Sequence, residues 1–76
     1  MNKNIFFKRL KELRLSKNLK QDDLAKEIGL KKSSIGMIEQ GNRMASVEIL
    51  YKIADFFDVS IDYLLGRNNN PDSHKN

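Results

Sequence analysis

The sequence predicts an all-α fold, a compact domain of five short helices. Apolar residues recur at helical spacing in short blocks, and period-2 alternation and Asn-Gly or Asp-Gly hairpin signals are absent. The only proline, Pro71, lies beyond the last block. A chain of 76 residues has room for one small core, which buries roughly 60% of the unfolded surface. We therefore expect one domain or less.

The first helix is predicted from about Asn4 to Lys17. Phe6, Leu10 and Leu13 fall at positions i, i+4 and i+7, so they share one face. Asn18 can end this helix in the left-handed conformation.

The second helix is predicted from about Gln21 to Ile28. Asp22 and Asp23 lie in its first turn, where carboxylates interact favourably with the helix dipole. Gly29 ends the helix, because glycine reaches positive φ without steric cost.

Three further helices are predicted from the same kinds of helix-starting and helix-ending residues. They are predicted over about Lys32–Gln40, from the N-cap Ser46 to Asp58, and over Ile61–Leu65 after the N-cap Ser60. The apolar positions of the fourth helix are expected to point inward: Val47, Leu50, Ile53, Ala54 and Phe57.

Residues 67–76 contain no apolar side chain apart from the proline ring. They cannot repay the entropy of ordering by burial, so we expect a disordered polar tail after a domain that covers residues 1–66.

The composition excludes several classes of function. There is no cysteine and only one histidine, His74 in the tail, so a histidine-based triad or a multi-histidine metal site is excluded. No apolar run approaches the roughly 18 residues of a membrane span. We therefore predict a cytoplasmic protein that is not an enzyme and needs no cofactor or membrane.

The net charge of +4 is unevenly distributed. Residues 1–20 carry seven Lys/Arg and one acid, a sum of +6, whereas residues 21–66 carry five Lys/Arg and eight acids, a sum of −3; residues 67–76 add +1. A basic segment on a small domain favours a polyanionic partner. A solvated lysine-rich helix face explains the same charges equally well.

The most informative stretch is Gln21–Gly41. It places two short helices on either side of Gly29-Leu30-Lys31, a connection tight enough to make them cross steeply, with Ala25 as the small residue at the contact. The outer face of the second of these helices is narrow and mostly small, with a basic N-terminal end, as expected for a helix that enters a DNA major groove. It consists of Lys32, Ser33, Gly36, Met37 and Gln40.

This stretch resembles the helix-turn-helix of phage repressors, the XRE family that includes Cro and the lambda repressor. The matching residues are Gln21, Leu24, Ala25, Gly29, Leu30, Ser33, Ile35, Ile38, Glu39 and Gly41, followed by Leu50, Ile53, Ala54, Val59, Ser60, Asp62, Leu64 and Leu65. The resemblance covers about residues 5–66 and implies a lambda-repressor-like fold.

The resemblance also implies the roles of particular residues. Three side chains of the recognition helix would face base edges: Lys32, Ser33 and Met37. Three others would contact the DNA backbone: Gln21, Asn42 and Arg43. Methionine cannot read donors and acceptors but can pack on a thymine methyl group; the alternative is that Met37 is partly buried.

Arg14 and Glu39 match a buried ion pair that ties the first helix to the third in this family. Each charge lies between apolar neighbours of its helix, and a buried charge needs a partner. The alternative for Arg14 is an ordinary basic surface residue.

A homodimer is expected, because one short helix reads too few base pairs to select a site in a genome. Its candidate interface is formed by Phe56, Ile61 and Tyr63. Ile49 and Phe56 share a face of the fourth helix, and they form either an exposed apolar patch or additional core against Ile5 and Phe7.

The function predicted on these grounds is sequence-specific binding of a double-stranded DNA operator in transcriptional control, with repression by operator occupancy favoured over activation. Further partners in this interpretation are RNA polymerase, through the acidic residues Asp22, Asp23 and Glu27, or an antirepressor. The alternatives are an antitoxin or another protein-interaction module on the same fold, and an RNA-binding protein.

Overall fold

The computed structural model describes residues 3–72 of the chain, and five helices form in that part. They are α1 (Lys3–Ser16), α2 (Gln21–Ile28), α3 (Lys32–Glu39), α4 (Val47–Phe57) and α5 (Ile61–Leu64). The all-α prediction is confirmed: between residues 3 and 72 the only strand-like pairing is one isolated antiparallel bridge between Val59 and Asp72.

The predicted capping residues are found at the helix ends: Asn18 and Gly29 follow α1 and α2, and Ser46 and Ser60 precede α4 and α5. Asn18 adopts a φ of 56° after α1, and Gly29 adopts a φ of 75° after α2. Ser46 accepts a hydrogen bond from the amide of Ile49 at 3.2 Å, and Ser60 accepts one from the amide of Tyr63 at 3.0 Å. Each serine satisfies an amide that the first helical turn leaves without a partner.

The N-terminus of α3 lacks such a cap. Lys31 occupies the N-cap position and its side chain makes no capping hydrogen bond. Its carbonyl oxygen still accepts the amides of Ser34 and Ile35, which begins the helical ladder. At α2, where Lys20 is the N-cap, the carboxylate of Asp23 accepts the Lys20 amide at 2.9 Å.

All five helices surround one hydrophobic core. It is built from Phe6, Phe7, Leu10, Leu24, Ala25, Ile28, Ile35, Ile38, Leu50, Ile53, Ala54, Phe57, Val59 and Leu64. The prediction is wrong for one core residue, Val47, which is 68% exposed. Helical periodicity gives the direction of a side chain, but it does not reveal whether another element covers that end of the helix.

Arg9 joins α1 to the segment that follows α5. Its guanidinium donates hydrogen bonds to the carbonyl oxygen of Tyr63, to the carbonyl oxygen of Asn68 at 2.8 Å and to the side-chain oxygen of Asn69 at 2.8 Å. It also lies 4.1 Å from the centroid of the Tyr63 ring, a cation–π distance.

The segment 67–72 makes a further contact with the domain, since the Ser60 amide donates to the carbonyl oxygen of Pro71 at 3.2 Å. Residues 73–76, including His74, lie outside the described residues, so the predicted tail falls only partly within the structure. The boundary of the domain stays a prediction.

Candidate nucleic-acid interface

The outward face of α3 carries the three predicted base-reading side chains. Lys32, Ser33 and Met37 are all exposed. Met37 is 44% exposed, so its side chain is accessible to a partner although part of its surface is covered within the protomer. At 3.6 residues per turn the three positions span an arc of roughly 140°. The opposite face of α3 is buried through Ile35 and Ile38. The helix therefore presents an ammonium group, a hydroxyl group and a thioether to solvent, from Lys32, Ser33 and Met37.

The turn between α2 and α3 depends on Gly29. Its φ of 75° is in the left-handed region, where residues with a Cβ atom are disfavoured. The amide of Leu30 returns to the carbonyl oxygen of Ala25 at 2.8 Å and closes the end of α2. The Leu30 side chain is partly buried against the core, so Leu30 anchors the turn through its backbone and through its side chain.

A buried ion pair fixes α3 to α1. The Arg14 Nε atom lies 2.6 Å from Glu39 Oε2, and Nη2 lies 3.0 Å from Oε1. The two side chains are only 9% and 4% exposed. Arg14 also donates from Nη1 to the carbonyl oxygen of Leu19 at 2.8 Å, so one guanidinium holds both the end of α3 and the loop before α2.

The hydrogen bond to Glu39 raises the pKa of Arg14 above its ordinary value, and it outweighs burial, which acts in the opposite direction. A raised pKa of a cation means that its contribution to stability is complete below the unfolded-state pKa and is lost only as the pH rises through the folded-state pKa. Arg14 therefore remains a cation throughout the physiological range.

The predicted DNA-backbone residues are each hydrogen-bonded to α3 or to the residue that caps it. Gln21 Nε2 donates to Glu39 Oε1 at 3.2 Å, and Arg43 Nη1 donates to Ser34 Oγ at 2.8 Å. Asn42 Nδ2 donates to the side-chain oxygen of Gln40, the C-cap of α3, at 3.3 Å. The structure therefore attaches all three to the helix that carries the predicted base readers.

Donors remain on each of these side chains. An amide side chain has two N–H donors and a guanidinium has five, so the bonds just described leave donors free for phosphate oxygens. Asn42 and Arg43 are exposed, while Gln21 is half-buried between α2 and α3.

The loop after α3 is fixed by Gly41. This residue has a φ of 82°, and a Cβ atom there would lie 3.0 Å from Cδ2 of the buried Phe7 ring. Both the left-handed conformation and the close contact therefore disfavour a residue with a Cβ atom at this position. Met44 and Ala45 then pack partly buried against the core, so Asn42 and Arg43 project from a short loop anchored on both sides.

The candidate dimer residues are not fully exposed. Phe56, Ile61 and Tyr63 are all half-buried and pack against the core. Phe56 also contacts the Phe57 ring, and Tyr63 lies under the Arg9 guanidinium. Ile49, which sequence analysis grouped with Phe56, is half-buried as well. The structure thus gives these side chains contacts within the protomer, and their role in dimerisation stays a prediction.

The acidic residues of α2 have different surroundings. Asp22, Asp23 and Glu27 are all exposed, and the Asp23 carboxylate in addition accepts a hydrogen bond from the Lys20 amide. Within residues 3–72, no cluster of three or more His, Cys, Asp or Glu side chains could hold a metal ion. In the same part of the chain, no helix has the length and apolar character needed to cross a membrane.

Two residues of this arrangement, Ser34 and Arg9, were not predicted from the sequence. Ser34 lies four positions before the buried Ile38, so helical spacing indicates that its side chain points inward. Its partner Arg43 lies in the loop after α3, and no local pattern predicts that contact. Arg9 gave no sequence signal, because its acceptors are 54 to 60 positions away along the chain.

Comparison with known proteins identifies the family. The helix-turn-helix family model matches residues 10–64, which is more than half of the chain. The chain belongs to the helix-turn-helix family. The resemblance to phage repressors inferred from Gln21–Gly41 is thereby confirmed.

Other helix-turn-helix proteins match over most of this chain. The uncharacterized HTH-type transcriptional regulator YobD of Bacillus subtilis is 37% identical over 68 residues, which are 90% of this chain and 61% of YobD. The chain thus spans less than two thirds of that relative.

Solved structures of the family have the same fold. The restriction-modification controller protein C.AhdI from Aeromonas hydrophila is 37% identical, with a TM-score of 0.74 over 82% of this chain and 94% of C.AhdI. The DNA-binding domain of the P22 c2 repressor is 26% identical, with a TM-score of 0.76 over 86% of each chain. The lambda-repressor-like architecture is confirmed by these similarities.

Proposed function

We propose that this chain binds double-stranded DNA at specific sequences and regulates transcription, with repression by operator occupancy as its mode of action. The observation that carries the proposal is the exposed face of α3, flanked by backbone-contact candidates that are hydrogen-bonded to α3 or its cap. The similarity to the DNA-binding domain of the P22 c2 repressor supports it. Repression by occupancy requires no catalysis and no cofactor.

In this proposal α3 enters the major groove with its N-terminal end leading. Lys32 donates to guanine O6 and N7, Ser33 serves as donor or acceptor, and Met37 packs on a thymine methyl group. Gln21, Asn42 and Arg43 donate to phosphates on either side. Phosphate contacts set the register of the protein on the duplex, while base contacts select the sequence.

We also propose that the protein acts as a homodimer in the cytoplasm, with Phe56, Ile61 and Tyr63 at the interface. A two-fold dimer would read two half-sites about 34–36 Å apart, one turn of B-DNA. A contact with RNA polymerase would use the exposed acidic residues of α2, Asp22, Asp23 and Glu27, and an antirepressor is a further proposed partner.

The test is selection of bound duplexes from a random pool, followed by measurement of affinity against salt concentration. We expect a short palindromic consensus, bound about 10³-fold or more tightly than random duplex, with affinity that falls as salt rises. Recovery of no consensus, with no binding to random duplex at low salt, would contradict the proposal and favour the protein-interaction alternative.

A further inference from the structure

Ser34 lies on the inner side of α3, directly after the exposed Ser33. It is 8% exposed, and its hydroxyl oxygen accepts a hydrogen bond from Arg43 Nη1 at 2.8 Å. The two residues are nine positions apart, and the turn at Gly41 brings them together. A buried hydroxyl on α3 therefore holds an arginine of the following loop.

The partner of Arg43 is neutral. Ion pairs between described residues include Arg14–Glu39, Lys52–Glu48 and Arg67–Asp62, and Arg43 takes part in none of these three. A hydroxyl fixes the direction of a guanidinium without neutralising its charge. The planar guanidinium has five N–H donors, and those not directed at Ser34 remain available for an anion.

The surroundings of this pair allow the orientation of Arg43 to change without a loss of fold stability. Arg43 is exposed, so water can solvate its guanidinium if the hydroxyl is removed. Alanine is also the best helix former, so it is well tolerated at position 34 of α3. Loss of the hydroxyl should therefore release Arg43 while leaving the fold intact.

We propose that Ser34 is a positioning residue that orders Arg43 toward a DNA phosphate before binding. This inference rests on the proposed DNA-binding function and adds to it a residue that contacts no DNA. Ordering one long side chain in advance should improve affinity by roughly 2- to 10-fold, because that entropy no longer opposes association. The gain applies to every sequence equally, since phosphates carry no sequence information.

A double-mutant cycle tests the inference with the selected operator and a random duplex. Ser34→Ala is expected to weaken binding to both by roughly 2- to 10-fold and to leave the salt slope unchanged, because the charge of Arg43 remains. Arg43→Ala is expected to reduce the salt slope by about one. In the Arg43→Ala background, Ser34→Ala should have no further effect on binding.

Two controls complete the cycle. Ser34→Thr keeps the hydroxyl and should retain wild-type affinity, and the urea midpoint of Ser34→Ala should remain close to that of the wild type. Equal loss of affinity from Ser34→Ala with and without Arg43 would overturn the inference, and so would no loss in the wild-type background. Failure of the wild-type chain to bind any duplex would instead contradict the proposed function.

Discussion

Arg14 in α1 and Glu39 in α3 form an ion pair through two hydrogen bonds, of 2.6 Å from Nε and 3.0 Å from Nη2. Gln21 of α2 donates to the same carboxylate at 3.2 Å. One glutamate at the end of α3 therefore joins the first three helices. This arrangement sets the orientation in which α3 presents its outer face.

Arg14→Ala should destabilise the fold by about 3–5 kcal/mol, because it leaves the Glu39 carboxylate buried without its partner. Urea unfolding measures the loss. Glu48→Gln is the matched control: it removes the exposed i,i+4 pair with Lys52, in which the charged atoms are 3.4 Å apart, and should cost less than about 0.5 kcal/mol. Equal effects of the two substitutions would show that the Arg14–Glu39 pair does not hold α3.

Gly36→Ala should raise the stability of the fold and lower the affinity for DNA. A Cβ atom at this position would lie 3.7 Å from Gln21 Oε1, an ordinary contact, so the fold should gain about 0.8–1.0 kcal/mol from the better helix former. DNA affinity should fall by about 1–3 kcal/mol, because the added methyl group enters a close contact with the groove. A variant that is more stable and binds the operator equally well would show that α3 does not approach DNA closely there.

Arg9→Ala should lower stability by about 1–3 kcal/mol, since it removes charge-assisted hydrogen bonds to the segment after α5. Truncation after Gly66 should also lower stability, but by much less in the Arg9→Ala background. Truncation after Asp72 is the control, because it keeps every contact that the structure describes. Equal stability of the two truncations would place the end of the domain at residue 66.

The protein should bind its full operator as two copies and an isolated half-site as one. The reason is informational, because a single α3 of eight residues reads only a few base pairs. Sedimentation velocity with a labelled duplex gives the stoichiometry directly. A complex with one copy on the best full-length operator would exclude the dimer.

The sequence was most informative where local chemistry decides the structure. Asn18, Gly29, Ser46 and Ser60 end or begin helices as predicted, because caps and left-handed residues act within a few positions of the chain. The prediction that Val47 is buried was wrong, since periodicity does not reveal which end of a helix is covered by another element.

Contacts between distant residues were predicted only where the family resemblance supplied them. Arg14 and Glu39, 25 positions apart, are brought together as that resemblance implied. The Arg9 and Ser34 contacts were not anticipated, because neutral acceptors such as carbonyl and hydroxyl oxygens leave no pattern of opposite charges in the sequence.

The central claim is that Lys32, Ser33 and Met37 read bases from the exposed face of α3. The direct measurement is a base-preference profile, over every operator position, for the wild type, Lys32→Ala and Met37→Ala. We expect Lys32→Ala to lose about 1–3 kcal/mol and its guanine preference at one position per half-site, and Met37→Ala to lose a thymine preference at another. If both variants keep the wild-type preference at every position, α3 is not the reading helix and the proposed binding mode is contradicted.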